Sequence, residues 1–464
     1  MNSSSGRRRG SVDPARLAAY DVLVAVREDD AYANLVLPQL LRDRRMEGRD
    51  AAFATELVGG TLRGQGSYDA VIDHLAGRRP DPAVRDALRL GAHQLLAMRV
   101  PDHAAVASTV ELVRSRIGHK PAGFTNAVLR RIAERDLDAW MDLLDATTPV
   151  RFSHPGWIVD ELARALDRPD ELEALLAADN ERPRVTLVAR PGLSTVAELV
   201  AGGVVSTGST TGDGSTTEGG TPTVSPLAVT LESGDPGAIP AVQEGRAGVQ
   251  DAGSQLVALA LSRAQLDGRD EWWLDLCAGP GGKAALLAAL ATTRGARLLA
   301  NERQPHRARL VAQALRATGG DIVTGDGTRP AWLEGAFDRV LVDAPCSGLG
   351  ALRRRPESRW RRRAEDLAQL VPLQNALLDT ALDSVRPGGV VLYATCSPVV
   401  AETSDVVEAV LAGRGDVRLE DARPLVPEAE DAESAHLAGA VQLWPHRHGT
   451  DAMFMALLRR LETT

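Results

Sequence analysis

Cysteine is scarce in this 464-residue chain, which contains only three. Three cysteines are too few for a disulfide framework, and no Cys-x-x-Cys pair suggests a zinc site. We therefore expect a reducing, cytoplasmic compartment and no bound metal. Long apolar runs are also lacking, since none approaches the roughly 18 residues of a membrane span. The arginines at 7–9 are not followed by the apolar segment of a secretory signal, so we expect no signal peptide.

Lysine is nearly absent, because Lys120 and Lys283 are the only lysines among 53 basic residues. This bias draws attention to Lys283, which lies within a glycine-rich segment. The formal net charge of −9 argues against a nucleic-acid partner, although an average charge conceals local patches. A chain of this length predicts two to four domains with ample apolar core.

Helical periodicity dominates the first part of the chain. Val84, Leu88 and Leu95, for example, recur at the spacing of one helix face. Prolines precede and follow this stretch, as expected at the first turn of a helix and beyond its end. We interpret residues 13–138 as an all-α bundle and residues 1–12 as a mobile tail.

The following stretch combines helices with short strands. Residues 139–245 are expected to begin as a helical connector and to continue as a small α+β subdomain. Its strand candidates are the apolar runs at 184–190 and 227–231. Residues 206–225 are rich in Gly, Ser and Thr and offer little apolar surface to bury, so we predict a disordered insertion there.

Strands and helices alternate in residues 246–464. The strand candidates are the apolar runs at 272–276, 297–301, 321–324, 337–342 and 389–394. This alternation predicts an α/β domain with a doubly wound, parallel sheet. Ligands of such sheets bind beyond the carboxyl ends of the strands, which is where we look for chemistry.

A glycine-rich loop follows the first of these strands. Its glycines allow a tight turn and close approach to a ligand, but it matches neither the P-loop nor the strict dinucleotide motif. Three acids, Glu302, Asp326 and Asp343, follow or end later strands. This combination favours S-adenosylmethionine, which carries a sulfonium and an ammonium but no phosphate. The candidate cofactor-binding residues are Cys277, Ala278, Gly279, Pro280, Gly281, Gly282, Lys283, Glu302, Asp326 and Asp343.

Each of these assignments has a simpler alternative. Any one of the acids, taken alone, is equally compatible with a helix N-cap, and only the ordered set favours a cofactor. Cys277 is expected to line the loop through its backbone rather than to act as a nucleophile. Free cysteines are in general small buried apolar groups, so the other two thiols need support from their surroundings.

The two remaining cysteines lie in distinct motifs. Cys346 lies in Asp-Ala-Pro-Cys-Ser-Gly (343–348) and Cys396 in Ala-Thr-Cys-Ser (394–397). Together these motifs resemble those of the RNA cytosine-C5 methyltransferases of the RsmB/Sun family, whereas Pro-Cys alone is shared with DNA cytosine methyltransferases. The resemblance covers most of the chain. Further similar motifs lie at 249–255, 354–361 and 443–451, and residues 13–138 are similar to the family's NusB-like RNA-binding domain.

The resemblance implies a Rossmann-like methyltransferase that modifies C5 of a cytosine in RNA, with 16S rRNA as the expected target. It implies that Cys396 adds to C6 of the base as the nucleophile and that Cys346 assists the later elimination. It also implies that Asp343 holds a protonated ring nitrogen and lies near the methionine end of S-adenosylmethionine. One departure from the family is Ala284, which replaces the usual hydroxyl residue after the loop lysine.

Arginine and tryptophan are concentrated after the Pro-Cys motif, at 353–363. This combination suits phosphate contact and base stacking, so the RNA-binding candidates are Arg354, Arg359, Trp360 and Arg361. A solvated helix start is the alternative interpretation. The target cytosine has to be unpaired or flipped out for a thiol to reach C6.

Other functions stay open at this point. The chain could methylate another RNA such as tRNA, or act as a non-catalytic rRNA-binding assembly factor. A methyltransferase acting on DNA or protein is a further alternative, against which the second motif cysteine argues. His446 and His448 could resemble metal ligands, but without a third ligand we expect a structural role. We expect a monomer that does not associate with membranes.

Overall fold

The structure is a computed structural model that describes residues 12–201, 205–206, 224–232 and 234–462. Residues 1–11 of the expected tail and 207–223 of the expected insertion therefore lie outside the described residues. Ser206, at the start of that insertion, ends a short strand.

The chain forms two compact units. The first contains the residues up to Val159 together with Asp179–Arg182 and Leu352–Arg361, and the second contains the intervening and following stretches. This division groups the chain differently from the expected boundaries at 138 and 245. The reason is that two short segments distant in sequence pack among the N-terminal helices.

The first unit is helical. It begins with α1 Pro14–Glu28, α2 Ala33–Asp43, α3 Gly48–Arg63, α4 Gln65–Ala76, α5 Pro82–Leu96, α6 Asp102–Arg116, α7 Lys120–Ile132, α8 Leu137–Leu143 and α9 Thr148–Arg151. Asp13 caps α1 by accepting from the Arg16 backbone N–H at 2.9 Å, and Pro14 occupies the first turn. Leu57, Ile72 and Leu129 are among its fully buried side chains, so the predicted helical bundle is present.

The second unit contains a small antiparallel sheet. Its strands are β1 Val185–Ala189, β2 Val205–Ser206, β3 Ala228–Leu231 and β4 Ala247–Val249, in the order β2-β3-β1-β4. Both strands that the sequence predicted in this region are confirmed. Val229 of β3 pairs with Leu187 of β1, and both side chains are fully buried in a separate apolar cluster.

The larger sheet of this unit holds the strands β5 Trp272–Asp275, β6 Arg297–Asn301, β7 Asp321–Val323, β8 Phe337–Asp343, β9 Val385–Thr395, β10 Val417–Glu420, β11 Val441–Gln442 and β12 Phe454–Arg460. The order is β10-β12-β9-β8-β5-β6-β7, with β11 paired to β12. Strands β5 to β9 pair in parallel and confirm the five predicted strands. Strands β10 to β12 were not predicted, and they are antiparallel.

Both faces of the large sheet are covered, as expected for parallel strands. Along β8, Leu341 faces one apolar cluster, whereas Val340 and Val342 face another. The remaining helices are α10 Gly156–Ala165, α11 Leu172–Ala178, α12 Val196–Ala201, α13 Pro240–Gln243, α14 Ala252–Arg263, α15 Gly282–Thr293, α16 Pro305–Ala314, α17 Ser358–Arg361, α18 Leu367–Ser384, α19 Ser404–Gly413 and α20 Pro445–His448. None of the described helices combines the length and apolar character needed to cross a membrane.

Strand β5 is the point at which the sheet order reverses. It lies between β6 on one side and β8 on the other, and the chain continues from β5 to β6 but from β8 to β9, in the opposite direction. Such a reversal opens a crevice beyond the carboxyl ends of the strands. The glycine-rich loop and both cysteine motifs follow strands of this part of the sheet.

Candidate active site

The glycine-rich loop runs from the end of β5 to the start of α15. Gly281 has a φ of +113°, and a Cβ there would lie 2.7 Å from the Cβ of Ala314 in α16. Only glycine tolerates both the backbone conformation and this close packing. The Ala278 N–H donates to the Asn301 carbonyl at 2.9 Å, which fixes the loop against β6.

Glu302 lies directly against this loop. Its side chain is almost fully buried, and it accepts a hydrogen bond from the Gln304 backbone N–H at 2.8 Å. A Cβ at Gly279 would overlap the Glu302 carboxylate. Arg307, whose Nε lies 3.6 Å from Glu302 Oε2, also donates to the Gly279 carbonyl and so holds the loop beside this acid. The loop therefore approaches an acid of the neighbouring strand as closely as its backbone permits.

Asp275 is a buried acid that the sequence prediction did not name as a site residue. Removal from water, together with the charge of Asp343, raises the pKa of Asp275 to about 8. One carboxylate oxygen accepts from the Cys277 N–H at 3.3 Å, and the other is buried without a hydrogen-bond partner among the described residues. Its position at a strand end, like that of Asp343, is the signal that could have identified it.

Cys277 has the environment of an unreactive thiol. Burial and the nearby carboxylate of Asp275 raise its pKa well above the usual value. The thiolate is the nucleophilic form of cysteine, so a thiol in this state is a poor nucleophile.

Lys283 and Asp343 form an ion pair across the crevice. The Lys283 Nζ lies 2.9 Å from Asp343 Oδ2. Burial would lower the pKa of Lys283, but the charge and hydrogen bond of Asp343 outweigh it and raise the pKa above its usual value. Lys283 also interacts electrostatically with Cys396. A permanent positive charge near a thiol favours its thiolate form.

The two motif cysteines meet although they are far apart in sequence. Cys346 follows β8, Cys396 follows β9, and their Sγ atoms are 3.4 Å apart. The hydrogen bond to Cys396, together with burial, raises the pKa of Cys346 well above its usual value. Gly350 donates its N–H to the Cys396 carbonyl at 2.9 Å and ties the two loops together. Cys346 is thus held as a protonated thiol beside Cys396.

Asp326 follows β7 in the same crevice region. Its Oδ1 accepts from the backbone N–H of Thr328 at 3.0 Å and from its hydroxyl at 2.8 Å. These two bonds lower the pKa of Asp326, so the side chain is a carboxylate with a fixed orientation.

The structure corrects the expectation that Arg359 binds RNA. Its side chain is fully buried within the helical unit. Its guanidinium donates to the carbonyls of Arg63, Ser153 and Asp179 and to Asn180 Oδ1 at 2.7 to 3.1 Å. Burial lowers the pKa of Arg359 to about 10, which leaves the group charged at neutral pH. The cation is therefore used inside the unit and does not face a phosphate.

The other RNA-binding candidates are more accessible. Trp360 is 38% exposed and packs beside Gly66, where a Cβ would lie 2.8 Å from its ring. Arg361 donates to the carbonyl of Val26 at 3.1 Å and stacks 4.9 Å from the centre of the exposed Tyr32 ring. Arg354 is half-buried.

The two histidines of the motif at 443–451 have structural partners. His446 Nε2 lies 2.8 Å from a carboxylate oxygen of Glu171, and His448 contacts the Glu430 carbonyl at 2.9 Å. No group of three or more His, Cys, Asp or Glu residues suited to a metal ion occurs among the described residues.

These features define a Rossmann-like methyltransferase. Strands β5 to β9 form a parallel sheet, a glycine-rich loop that is not a P-loop follows β5, and acids end or follow the neighbouring strands. The loop residues fit S-adenosylmethionine, because Gly279 lets the loop backbone lie directly against the Glu302 carboxylate and because one buried oxygen of Asp275 has no hydrogen-bond partner among the described residues. Glu302 and Asp326 complete the residues that would hold it.

Comparisons with known proteins identify the family. The model of 16S rRNA methyltransferase RsmB/F matches residues 264–459, and that of the NusB family matches residues 13–134. A putative methyltransferase of Mycobacterium tuberculosis is 52% identical over 99% of both chains. Ribosomal RNA small subunit methyltransferase B of Salmonella typhi is 35% identical over 87% of this chain and 91% of its own length.

The fold has a close match among solved structures. The crystal structure of PH0851 has a TM-score of 0.78 at 22% identity and covers 98% of this chain and 100% of that one. The chain therefore belongs to the RsmB/F family of RNA methyltransferases, carries a NusB-like domain and uses S-adenosylmethionine as its cofactor.

Proposed function

We propose that this protein methylates C5 of a cytosine in RNA through a covalent bond between Cys396 and C6 of the base. The observation that carries the proposal is the pair of thiols, 3.4 Å apart, on two loops beside the Lys283–Asp343 ion pair. We further propose that 16S rRNA is the target, in keeping with the names of the relatives, and that the protein acts as a cytoplasmic monomer.

The chemistry explains why one thiol has to act as a nucleophile. C5 of cytosine reacts poorly with an electrophile until a nucleophile adds to C6. When the Cys396 thiolate forms the S–C6 bond, the electrons of the C5–C6 double bond make C5 nucleophilic. S-adenosylmethionine, when bound, supplies a methyl group on a positively charged sulfur. Loss of the C5 proton and cleavage of the S–C6 bond then restore the aromatic ring and free Cys396.

The environments of the two thiols support different roles. Lys283 favours a thiolate at Cys396, whereas Cys346 is held in its protonated form by Cys396 and by burial. We assign the nucleophilic attack to Cys396 and the assistance of product release to Cys346. Asp343, fixed by Lys283, is assigned the protonated ring nitrogen of the base and a place near the methionine end of the cofactor.

We propose that RNA contacts Trp360, Arg361 and Arg354 rather than Arg359. The exposed face of Trp360 offers a stacking surface for an unpaired base. Arg361 lies over the exposed ring of Tyr32, so the same patch combines aromatic faces with positive charge.

The test compares Cys396→Ala, Cys346→Ala and the double variant on unmodified 16S rRNA. Cys396→Ala should form no 5-methylcytosine because no S–C6 bond can form. Cys346→Ala should accumulate RNA bound to protein, visible as a slow band on a denaturing gel, and the double variant should lack this band. Transfer of a tritiated methyl group to RNA, DNA and protein identifies the substrate class.

Normal methylation by Cys396→Ala would contradict the assignment of the nucleophile. Label in DNA or protein but not in RNA would contradict the substrate class. Bisulfite sequencing of rRNA and tRNA from a deletion strain then identifies the modified cytosine, and a site in tRNA alone would exclude the 16S rRNA target.

A further inference from the structure

Glu402 is a fully buried acid that no sequence motif singled out. It ends a short 3-10 turn between the loop that carries Cys396 and α19, and its side chain is fully buried. Glutamate is rarely fully buried unless its charge is compensated by a partner or by hydrogen bonds. The groups that donate hydrogen bonds to the Glu402 carboxylate therefore indicate its structural role.

Four hydrogen bonds converge on the Glu402 carboxylate. Oε1 accepts from the Ser347 backbone N–H at 2.7 Å and from Gln374 Nε2 at 3.1 Å. Oε2 accepts from the hydroxyl of Ser347 at 2.5 Å and from that of Ser397 at 2.6 Å. Both oxygens of the carboxylate are thus engaged, and bonds to a charged acceptor are about twice as strong as neutral ones.

The donors belong to the two loops that carry the reactive thiols. Ser347 directly follows Cys346, and Ser397 directly follows Cys396. Their hydroxyl oxygens are 3.0 Å apart, beside the 3.4 Å contact of the two Sγ atoms. One carboxylate therefore spans the two loops at the residues adjacent to the thiols.

Gln374 extends the same connection. Besides Glu402, its Nε2 donates to the carbonyl of Pro345, the residue before Cys346, at 2.9 Å. The Pro-Cys loop is thus held on both sides of its cysteine. The Glu402 backbone is fixed independently, because the Tyr393 hydroxyl donates to the Glu402 carbonyl at 2.8 Å. A change of the side chain can therefore release the loops without removing this anchor.

We propose that Glu402 is a positioning residue that holds Cys346 and Cys396 in register for attack and release. The inference rests on the proposed function, because it presumes that both thiols act on one cytosine. Catalytic groups have to be held within a fraction of an ångström, and a misplacement of about 1 Å can cost about 100-fold in rate. Glu402 touches neither base nor cofactor in this role and acts through the serines.

The experiment compares Glu402→Gln and Glu402→Asp with the control Glu408→Gln. Glu408 is exposed on α19, so its replacement changes the same charge outside the connection. Glu402→Gln should lower kcat for RNA methylation by about 100-fold, because an amide cannot accept all four bonds. The KM for RNA and the Kd for S-adenosylmethionine should stay unchanged, and Glu402→Asp should restore part of kcat.

A second measurement reports the distance between the thiols without any methylation. Diamide removes two electrons and two protons from a pair of close thiols, becomes the hydrazine and leaves a disulfide. Peptide mass spectrometry gives the rate at which Cys346 and Cys396 become linked. Glu402→Gln should slow this linkage by about tenfold or more, as expected if loss of the bonds lets the loops separate. Glu408→Gln should react at the wild-type rate.

The two measurements separate the possible failures. A wild-type kcat or a wild-type linkage rate in Glu402→Gln would overturn the positioning role. A slower linkage in Glu402→Gln, combined with a wild type that does not methylate RNA, would show that Glu402 holds the two thiols together and would refute the proposed function. If Glu402→Gln does not fold, Ser397→Ala removes one donor from the carboxylate and should lower both rates by about tenfold. Unchanged rates in that variant would overturn the inference equally.

Discussion

Replacing Arg359 with methionine would leave four acceptors of the helical unit, three buried and one half-buried, without their donor. The acceptors are the carbonyls of Arg63, Ser153 and Asp179 and the side-chain oxygen of Asn180. Methionine keeps much of the length and apolar volume of the stem, so the change removes mainly the guanidinium.

The expected loss can be worked from these contacts. Each unsatisfied buried acceptor costs about 1–3 kcal/mol, so the loss of stability from all four acceptors is at most about 4–12 kcal/mol. Removing the buried charge offsets part of this cost, because burial already lowers the pKa of Arg359 to about 10. We expect a net loss of about 3–5 kcal/mol, the range found when one partner of a buried charged network is removed.

Amide hydrogen exchange in α3 and α4 measures this loss within the helical unit itself. The chain has two compact units, so a single global unfolding curve would mix their stabilities. Arg355→Met is the matched control, since Arg355 lies in the same segment but is exposed. The control should leave the opening free energy of both helices unchanged.

RNA affinity measured at several salt concentrations tests the alternative, in which Arg359 contacts a phosphate. A phosphate contact contributes about one to the slope of log affinity against log salt. The structure predicts that Arg359→Met leaves this slope unchanged. If the variant keeps the exchange rates of the wild type and lowers the slope by about one, the buried role is refuted and the sequence-based RNA-binding role is restored.

Three further outcomes are expected. Diamide should inactivate the wild type by linking Cys346 to Cys396, whose Sγ atoms are 3.4 Å apart, and dithiothreitol should restore activity; a lasting loss would contradict this. Gly279→Ala should weaken S-adenosylmethionine binding in calorimetry by about tenfold or more without unfolding the protein, because its Cβ displaces Glu302. Burial raises the pKa of Asp275 to about 8, so the stability it contributes is complete below its usual pKa near 4 and is lost as the pH rises toward 8. The opening free energy of α15 in Asp275→Asn, measured by amide hydrogen exchange, should consequently fall less than that of the wild type between about pH 5 and pH 8; parallel curves would contradict the raised pKa.

The parallel part of the fold could be predicted because local patterns determine it. Strands β5 to β9 are short apolar runs separated by helices, and burial on both faces makes such runs continuous. Strand β12 was missed, because Phe454–Arg460 carries no turn signal that separates a strand from a helix. Its pairing with β9 and β10, which lie distant in sequence, determines its conformation.

The site could be predicted where a motif carries the chemistry, and not where the chemistry depends on contacts between distant residues. Cys346 and Cys396 could be identified from their own neighbours in sequence. The role of Glu402 depends on serines of two loops that meet only in the folded chain. Arg359 was misjudged for a related reason. An arginine-rich segment indicates solvent exposure, and only the folded structure shows that buried carbonyls accept hydrogen bonds from one of its guanidinium groups.

The helical unit is assembled from segments that lie far apart in the chain, and this has a consequence for synthesis on the ribosome. The unit uses residues up to Val159, then Asp179–Arg182 and finally Leu352–Arg361, so about 200 residues after Val159 are translated before its last segment exists. At about 5–20 residues per second, this delay is roughly 10–40 s. During that time the carbonyls that receive Arg359 have no donor from that side chain. The first helices of the helical unit are thus made early, but the hydrogen bonds of its interior can be completed only after the Pro-Cys loop has been made.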